Sequence, residues 1–436
     1  MKKVAGLFII AILLVFSLCR HLGAESWVNV ASNGFGEPNN DYAWSMATFR
    51  GKLYVGTLNE LNGSQIWSSS SGETDTWQKV YQAIPGTNLG VRCLYADGNQ
   101  ALYAGTYNSS GAEILMTVDG QRWRPVARGG LGSPGNNSIR CMVRFGNYLY
   151  VGTGNSYPPP IDTASQMRIR SQFNIASLRP SGRSFQTLGS RLYGAKLYRS
   201  VDGSKWELVK ADPGFESTKV LDPATNNYVT NNVLIGELAV FNDYLYAFTW
   251  TEDATIQTST QSETRSQYSL SPFIGEITNR ASTKPRIPML TGGPTPGAFE
   301  VWRSKDGVQW EKVVGQDDKY GNGMGFCLRD DPSGAAMDND VVTSVSVFKN
   351  QLYLGTANYS CKPSVWRTAD GTQWEKTMDF FALGETYNLY TWRLIPFRDE
   401  LFVGVLNMAY VGVPGGTGAQ IWVSPSGDTG SFHPLV

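Results

Sequence analysis

Lys196-Leu197-Tyr198-Arg199-Ser200-Val201-Asp202-Gly203-Ser204-Lys205-Trp206-Glu207-Leu208-Val209 reads as a short strand, a tight turn and a second strand. Asp202 can bond backbone N–H groups two residues on, and Gly203 takes the positive φ that a tight hairpin demands. Trp206 lays a large apolar face on the sheet as the turn closes. The same turn recurs at Thr117-Val118-Asp119-Gly120-Gln121-Arg122-Trp123, Ser304-Lys305-Asp306-Gly307-Val308-Gln309-Trp310 and Thr368-Ala369-Asp370-Gly371-Thr372-Gln373-Trp374. Looser copies, with Ser for Asp, run from Ser69-Ser70-Ser71-Gly72 to Trp77 and from Ser424-Pro425-Ser426-Gly427 to Phe432.

Each turn closes a longer unit. Upstream stands Leu-Tyr-x-Gly-Thr-x-Asn, at Leu53 to Asn59, Leu102 to Asn108, Leu149 to Asn155 and Leu352 to Asn358, with variants at Leu245 to Thr251 and Leu401 to Asn407. Before it comes a strand ending in an aromatic residue, as at Ser45 to Phe49. Four strands (a to d) per unit, in units 42–80, 90–126, 138–209, 234–313, 341–377 and 390–436, give an all-β six-bladed β-propeller of four-stranded antiparallel blades. Seven blades are the alternative, because the third unit is longer by about one repeat and Phe185 to Tyr193 echoes an a–b pair. Trp27-Val28-Asn29-Val30 looks like a d strand, expected to pair with the last blade so that the N- and C-terminal strands close the ring. Asn40, Asn88, Asn136, Asn232, Asn339 and Asn388 each stand five residues before equivalent inner-strand positions. They form either a polar ring at the channel mouth or Asx-type caps that order the loops.

The turn resembles the Asp-box, or BNR, repeat of sialidase-like β-propellers, with Gly directly after Asp where the family's box places it two residues on. The resemblance covers nearly the whole chain after the leader and identifies a scaffold, not an activity.

Residues 1–24 read as a secretory signal peptide: Lys2 and Lys3 precede the apolar run Val4 to Leu18, and Leu22-Gly23-Ala24 offers a cleavage site. The run is short for a membrane span of about 20 residues. Residues 25–436 are then one exported domain, periplasmic or extracellular and monomeric, without a transmembrane segment. Lys plus Arg and Asp plus Glu number 37 each, so nothing calls for nucleic acid. Beyond the leader only His433 remains of the histidines, which argues against a histidine base or a multi-histidine zinc site. Cys93, Cys141, Cys327 and Cys361 favour disulfides, Cys93 with Cys141 and Cys327 with Cys361, with free buried thiols as the alternative.

The long connections are all d-to-a or b-to-c, the kind that emerge on one face of a blade: the insertions 156–194 and 252–297, then 215–231, 316–340 and 408–418. That face is expected to carry the site. There the inner strands begin Trp44-Ser45, Arg92-Cys93, Arg140-Cys141, Gly236-Glu237, Thr343-Ser344 and Trp392-Arg393. Arg92, Arg140 and Arg393 suit an anionic ligand, because guanidinium forks clamp a carboxylate in two places. Trp44 and Trp392, with Tyr42 and Tyr390 beside them, suit a sugar ring. The plainer alternative has the arginines paired with neighbouring carboxylates and the tryptophans packed between blades. Arg168, Arg170, Arg179, Arg183 and Arg191 make a basic insertion, either a docking patch or a solvated loop. No cofactor is implied, although Asp330, Asp331, Asp338 and Asp340 could hold calcium.

Two function classes follow. One is a binding module for a glycan or an exported or surface protein. The other, implied by the resemblance, is a sialidase-like or other glycan-cleaving enzyme acting on acidic sugars, with Glu237 as the catalytic carboxylate and the three arginines holding the substrate. The family's Tyr-Glu nucleophile and Asp acid have no residue-by-residue match here.

Overall fold

The computed structural model describes residues 28–154, 194–210, 219–222, 227–230, 232–251, 298–315, 318–326, 339, 341–358, 362–385, 387–407 and 418–435. The leader, Trp27, the basic insertion, the Phe185 to Tyr193 echo, the Asp330 to Asp340 group, Cys327 and Cys361 lie outside them. The architecture is all-β and antiparallel, with helical geometry confined to short turns at Asn33–Gly36 and Met324–Phe326.

Apart from the separate hairpin of Lys219–Asp222 with Asn227–Thr230, the described strands pair in successive groups of four. In unit one Tyr42–Phe49, Lys52–Leu58, Gln65–Ser69 and Gln78–Gln82 pair in chain order. Five further units follow the same plan behind inner strands Gly90–Asp97, Ser138–Phe145, Asn232–Phe241, Val341–Phe348 and Asn388–Phe397.

The Asp-Gly turn behaves as its chemistry dictates. Asp306 Oδ1 accepts from the backbone N–H of Val308 at 2.8 Å and of Gln309 at 2.7 Å. Gly307, at φ +73°, donates its N–H to Ser304 Oγ at 2.8 Å. The glycine also serves a contact that the turn alone does not reveal. A Cβ on Gly307 would sit 1.9 Å from Tyr150 Oη, which reaches over from the preceding unit. Tyr54 meets Gly120 in the same way, as do Tyr103 and Gly203, Tyr246 and Gly371, and Tyr353 and Gly427. The tyrosine of Leu-Tyr-x-Gly-Thr therefore docks one unit on the next.

The glycine of that motif lets strand b abut the following inner strand. A Cβ on Gly105 would meet Ile139 at 2.6 Å, and one on Gly355 would meet Thr391 Oγ1 at 2.1 Å. Backbone pairs Leu58–Gly90, Tyr107–Ser138, Gly154–Leu234, Trp250–Val341 and Ala357–Tyr390 bridge the same five junctions. The apolar core lies between units, as where Phe241, Tyr246 and Phe248 pack on Val342, Leu352, Leu354 and Trp366.

The junction of unit six with unit one is different. Phe402 stands where the docking tyrosine would be, and added Cβ atoms on Gly72 and Gly404 meet nothing within 4 Å. Met46 is 59% exposed, whereas its counterpart Leu94 is 8% exposed. Among the described residues no strand pairing joins these two units. The closing strand expected at Trp27 to Val30 is not formed over its described part: Val28 to Val30 carry no strand, and Val28 is 69% exposed. The outer strand of unit six is His433–Pro434, supplied by the C-terminus.

The recurring asparagines are internal struts. Asn388 accepts from Asn407 Nδ2 at 2.7 Å and donates to Gln420 Oε1 at 2.8 Å, which in turn accepts from the Trp422 indole at 2.9 Å. Asn40, Asn136 and Asn339 donate to the carbonyls of Gly34, Gly130 and Gly325. They thereby pin the loop that leads into each inner strand, and the Asx-cap reading holds for these three. Those loops adopt positive φ at Phe35, Leu131 and Phe326. Phe35 consequently stacks on Trp67 with centroids 5.2 Å apart, and Phe326 on Trp366 at 4.1 Å.

The Cys93–Cys141 disulfide expectation is corrected: both thiols are free. At this position the side chain turns toward the backbone of the following unit. Ser45 Oγ donates to the Val91 carbonyl at 2.8 Å, and Cys141 Sγ donates to the Ile235 carbonyl at 3.5 Å. Side chains of consecutive units point the same way round and do not meet. Burial pushes the Cys93 thiol up to about 12 and raises Cys141 as well, so both stay protonated.

Candidate functional site

Every inner strand carries a β-bulge at the same place. The register skips Trp44, Arg92, Arg140, Gly236, Thr343 and Trp392, each the extra residue between two that pair with strand b. A bulge leaves one residue outside the ladder and re-aims its side chain. Five of these six residues, all but Trp44, line one cavity, joined by Glu237, Trp250, Val342 and Arg393. The cavity has a volume of about 30 Å³.

The charged side chains described here are three arginines and one carboxylate. Arg393 donates from its Nη1 to Glu237 Oε1 at 3.1 Å, linking unit six to unit four. Arg92 lies with its guanidinium 4.1 Å from the Trp44 ring centroid, and Arg140 lies 4.8 Å from that of Trp250. Arg92 is 8% exposed and Trp250 is 5% exposed. Burial, then the neighbouring charges of Arg140 and Arg393, pull Arg92 well below the usual guanidinium range, with Glu237 opposing. Burial lowers Arg140 to about 10, which leaves it cationic at neutral pH. Burial likewise pushes the Glu237 carboxyl up, against the pull of Arg393 and Arg140.

The structure thus brings together five of the sequence-nominated residues: Arg92, Arg140, Arg393, Glu237 and Trp392. Trp44 forms the platform under Arg92, and Tyr42 stacks beyond it with centroids 6.1 Å apart. Tyr390 is fully buried with Trp250 and Leu389 and does not line the cavity. The reading of arginines paired with carboxylates applies to Arg393. Trp250, Thr343, Gly236 and Val342 are additions. Thr343 spends its hydroxyl on the Thr391 carbonyl, at 2.6 Å. A Cβ on Gly236 would meet the Val342 carbonyl at 3.2 Å, so glycine keeps that wall open. Trp250 sits on strand b, two residues before the insertion that begins at 252, and the register of that strand was its sequence signal.

Among the described residues lining the cavity Glu237 is the one carboxylate, and none is a tyrosine. A retaining glycosidase needs two carboxyls about 5 Å apart or a tyrosine nucleophile with a carboxylate partner. Buried guanidiniums with their flat faces on indoles, and one carboxylate among them, suit the holding of an anion.

No protein-family model and no curated protein matches the chain. Solved structures match at 10% identity. The SapL1 lectin in complex with alpha methyl fucoside has a TM-score of 0.40, with 91% of this chain and 96% of that one covered. The sialidase of Trypanosoma rangeli in complex with sialic acid has a TM-score of 0.38, with 84% and 51% covered. The computationally designed Ika8 protein has a TM-score of 0.35, with 89% and 86% covered.

Proposed function

We propose that the chain is an exported binding module whose six units form a β-propeller, and that its axial cavity takes the anionic group of a ligand borne by a glycan or by an exported or surface partner. One observation carries this reading: bulges in separate inner strands aim Arg92 and Arg140 into a space that Arg393 and Glu237 complete. Guanidiniums give charge-assisted hydrogen bonds to anions, so a site of this kind suits a bound anion. The ion pair of Glu237 with Arg393 favours binding over glycan cleavage.

A glycan array probed with the purified protein tests the reading. Binding to acidic glycans that is lost in Arg92→Ala and Arg140→Ala is the expected result. Turnover of fluorogenic glycosides that is abolished by Glu237→Gln would replace binding by hydrolysis.

A further inference from the structure

Consecutive units are joined by a recurring apolar pair, and units six and one each supply one half of a further pair. The aromatic residue that ends an inner strand shares a cluster with an apolar residue of the next inner strand: Phe49 with Leu94, Phe241 with Val345, and Phe348 with Leu394. Phe145 and Leu238 meet in the same way. From unit two to unit three an ion pair, Asp97 with Arg144, holds the joint. In unit six the inner strand ends at Phe397, which is 54% exposed, and the matching position in unit one is Met46, 59% exposed. The turn after Phe397 keeps the shape used elsewhere: Arg398 and Asp399 take positive φ, as Asn242, Asp243, Lys349 and Asn350 do. In those units Asn242 and Lys349 donate to the carbonyls of Ala369 and Pro425 in the next unit's turn, and Ser70 is the equivalent residue of unit one. Two apolar half-joints tethered in one chain find each other more readily than either finds a second molecule. This joint is also the weakest, because Phe402 brings no hydroxyl to Gly72.

We propose that unit six closes on unit one through a sixth joint that buries Phe397 against Met46, and that this joint opens and recloses while the other five stay shut. The arrangement described above is its open form. Trp392 and Arg393 stand on the same inner strand as Phe397, so the seam runs beside the cavity. The proposal does not depend on what the cavity binds.

Maleimide labelling of the purified Met46→Cys protein tests it against Val118→Cys, a turn residue of unit two with 54% exposure. Closure predicts that Met46→Cys labels about tenfold more slowly than Val118→Cys and still runs to completion, because the open form keeps re-forming. Adding Phe397→Asp places a charge in the joint and should raise the rate at Met46→Cys to that of Val118→Cys. Buried Cys141 should stay unlabelled throughout, which shows that the rest of the fold is intact. A short bismaleimide should link Met46→Cys to Phe397→Cys within one molecule. Equal rates in the two single variants would overturn closure. Protection of Met46→Cys that survives Phe397→Asp would mean that something other than unit six covers it, and would overturn the joint. Labelling as absent as at Cys141 would overturn reopening. Links between molecules, with a dimer in size-exclusion chromatography, would overturn the intramolecular joint and assign the face to a second copy.

Discussion

Alanine at Gly371 should destabilise the protein far more than alanine at Gly72, although both close the same turn at nearly the same φ, +78° and +80°. A non-glycine residue at positive φ costs about 1 kcal/mol. At Gly72 that is the whole cost, because the new Cβ meets nothing within 4 Å. At Gly371 the Cβ would lie 1.8 Å from Tyr246 Oη, a side chain with 0% exposure and no room to withdraw. Overpacking of this kind adds about 1–3 kcal/mol, for a total of roughly 2–4 kcal/mol. With unfolding entropy near 2.1 cal/mol/K per residue, a chain of this length loses roughly 1 °C of melting temperature per kcal/mol. Urea denaturation is therefore the better assay, read as the shift in midpoint at constant slope. Tyr246→Phe supplies the internal control. Alone it forfeits the weak hydrogen bond from Tyr246 Oη to the Gly371 carbonyl, 3.4 Å long, and the hydroxyl's contact with Arg303. In the Gly371→Ala background it removes the clashing atom and should restore about 1 kcal/mol, visible as coupling in a double-mutant cycle. Equal losses at Gly371 and Gly72, or an additive cycle, would refute tyrosine–glycine docking as the joint between units.

Three further outcomes are expected. Asn136→Ala should cost about 2–4 kcal/mol in urea unfolding, because this fully buried amide donates to the Gly130 carbonyl at 2.8 Å and to Tyr198 Oη at 3.2 Å. Cys93 and Cys141 should resist a thiol reagent at pH 8 in the folded protein and react fully in guanidinium without reductant, which a disulfide would prevent. The backbone N–H groups of Arg122 and Gln121 hold the Asp119 carboxyl down at about 2. Its folded value lies below the unfolded one, so its stabilisation is present above about pH 4 and is lost as the pH falls toward 2. Carboxyl NMR titration should find the low value, and a midpoint near 4 would remove the role given to the turn aspartate.

Much of the fold was legible because each repeated residue has a local duty. Asp119, Asp202, Asp306 and Asp370 tie down their own turns, and Gly in Leu-Tyr-x-Gly-Thr marks a strand with no space for a side chain. Residues that act across a junction were harder to read. Phe35 and Phe326 look like loop aromatics until positive φ swings them onto Trp67 and Trp366. The cysteines seemed paired because they share a position in adjacent units, yet that equivalence is what sends each thiol to the next unit's backbone. At the site, equivalence of Trp44, Arg92, Arg140 and Trp392 could be counted from the repeat. The bulge that turns Arg92, Arg140 and Trp392 inward could not, because it arises from pairing with the partner strand. Tyr390 does meet Trp392 edge-on, with centroids 5.7 Å apart, but the bulge at Trp392 re-aims that residue into the cavity and leaves Tyr390 in the core.

If the binding reading holds, the guanidiniums of Arg92, Arg140 and Arg393 share one anion in the cavity they line. Crystals soaked in tungstate, a tetrahedral dianion with strong anomalous scattering, test it directly. A single anomalous peak in the space lined by Arg92, Arg140 and Arg393, absent in Arg140→Gln, is the predicted result. Tungstate peaks elsewhere, with that space filled by water or by a salt bridge of Arg92 or Arg140 to Glu237, would contradict the account.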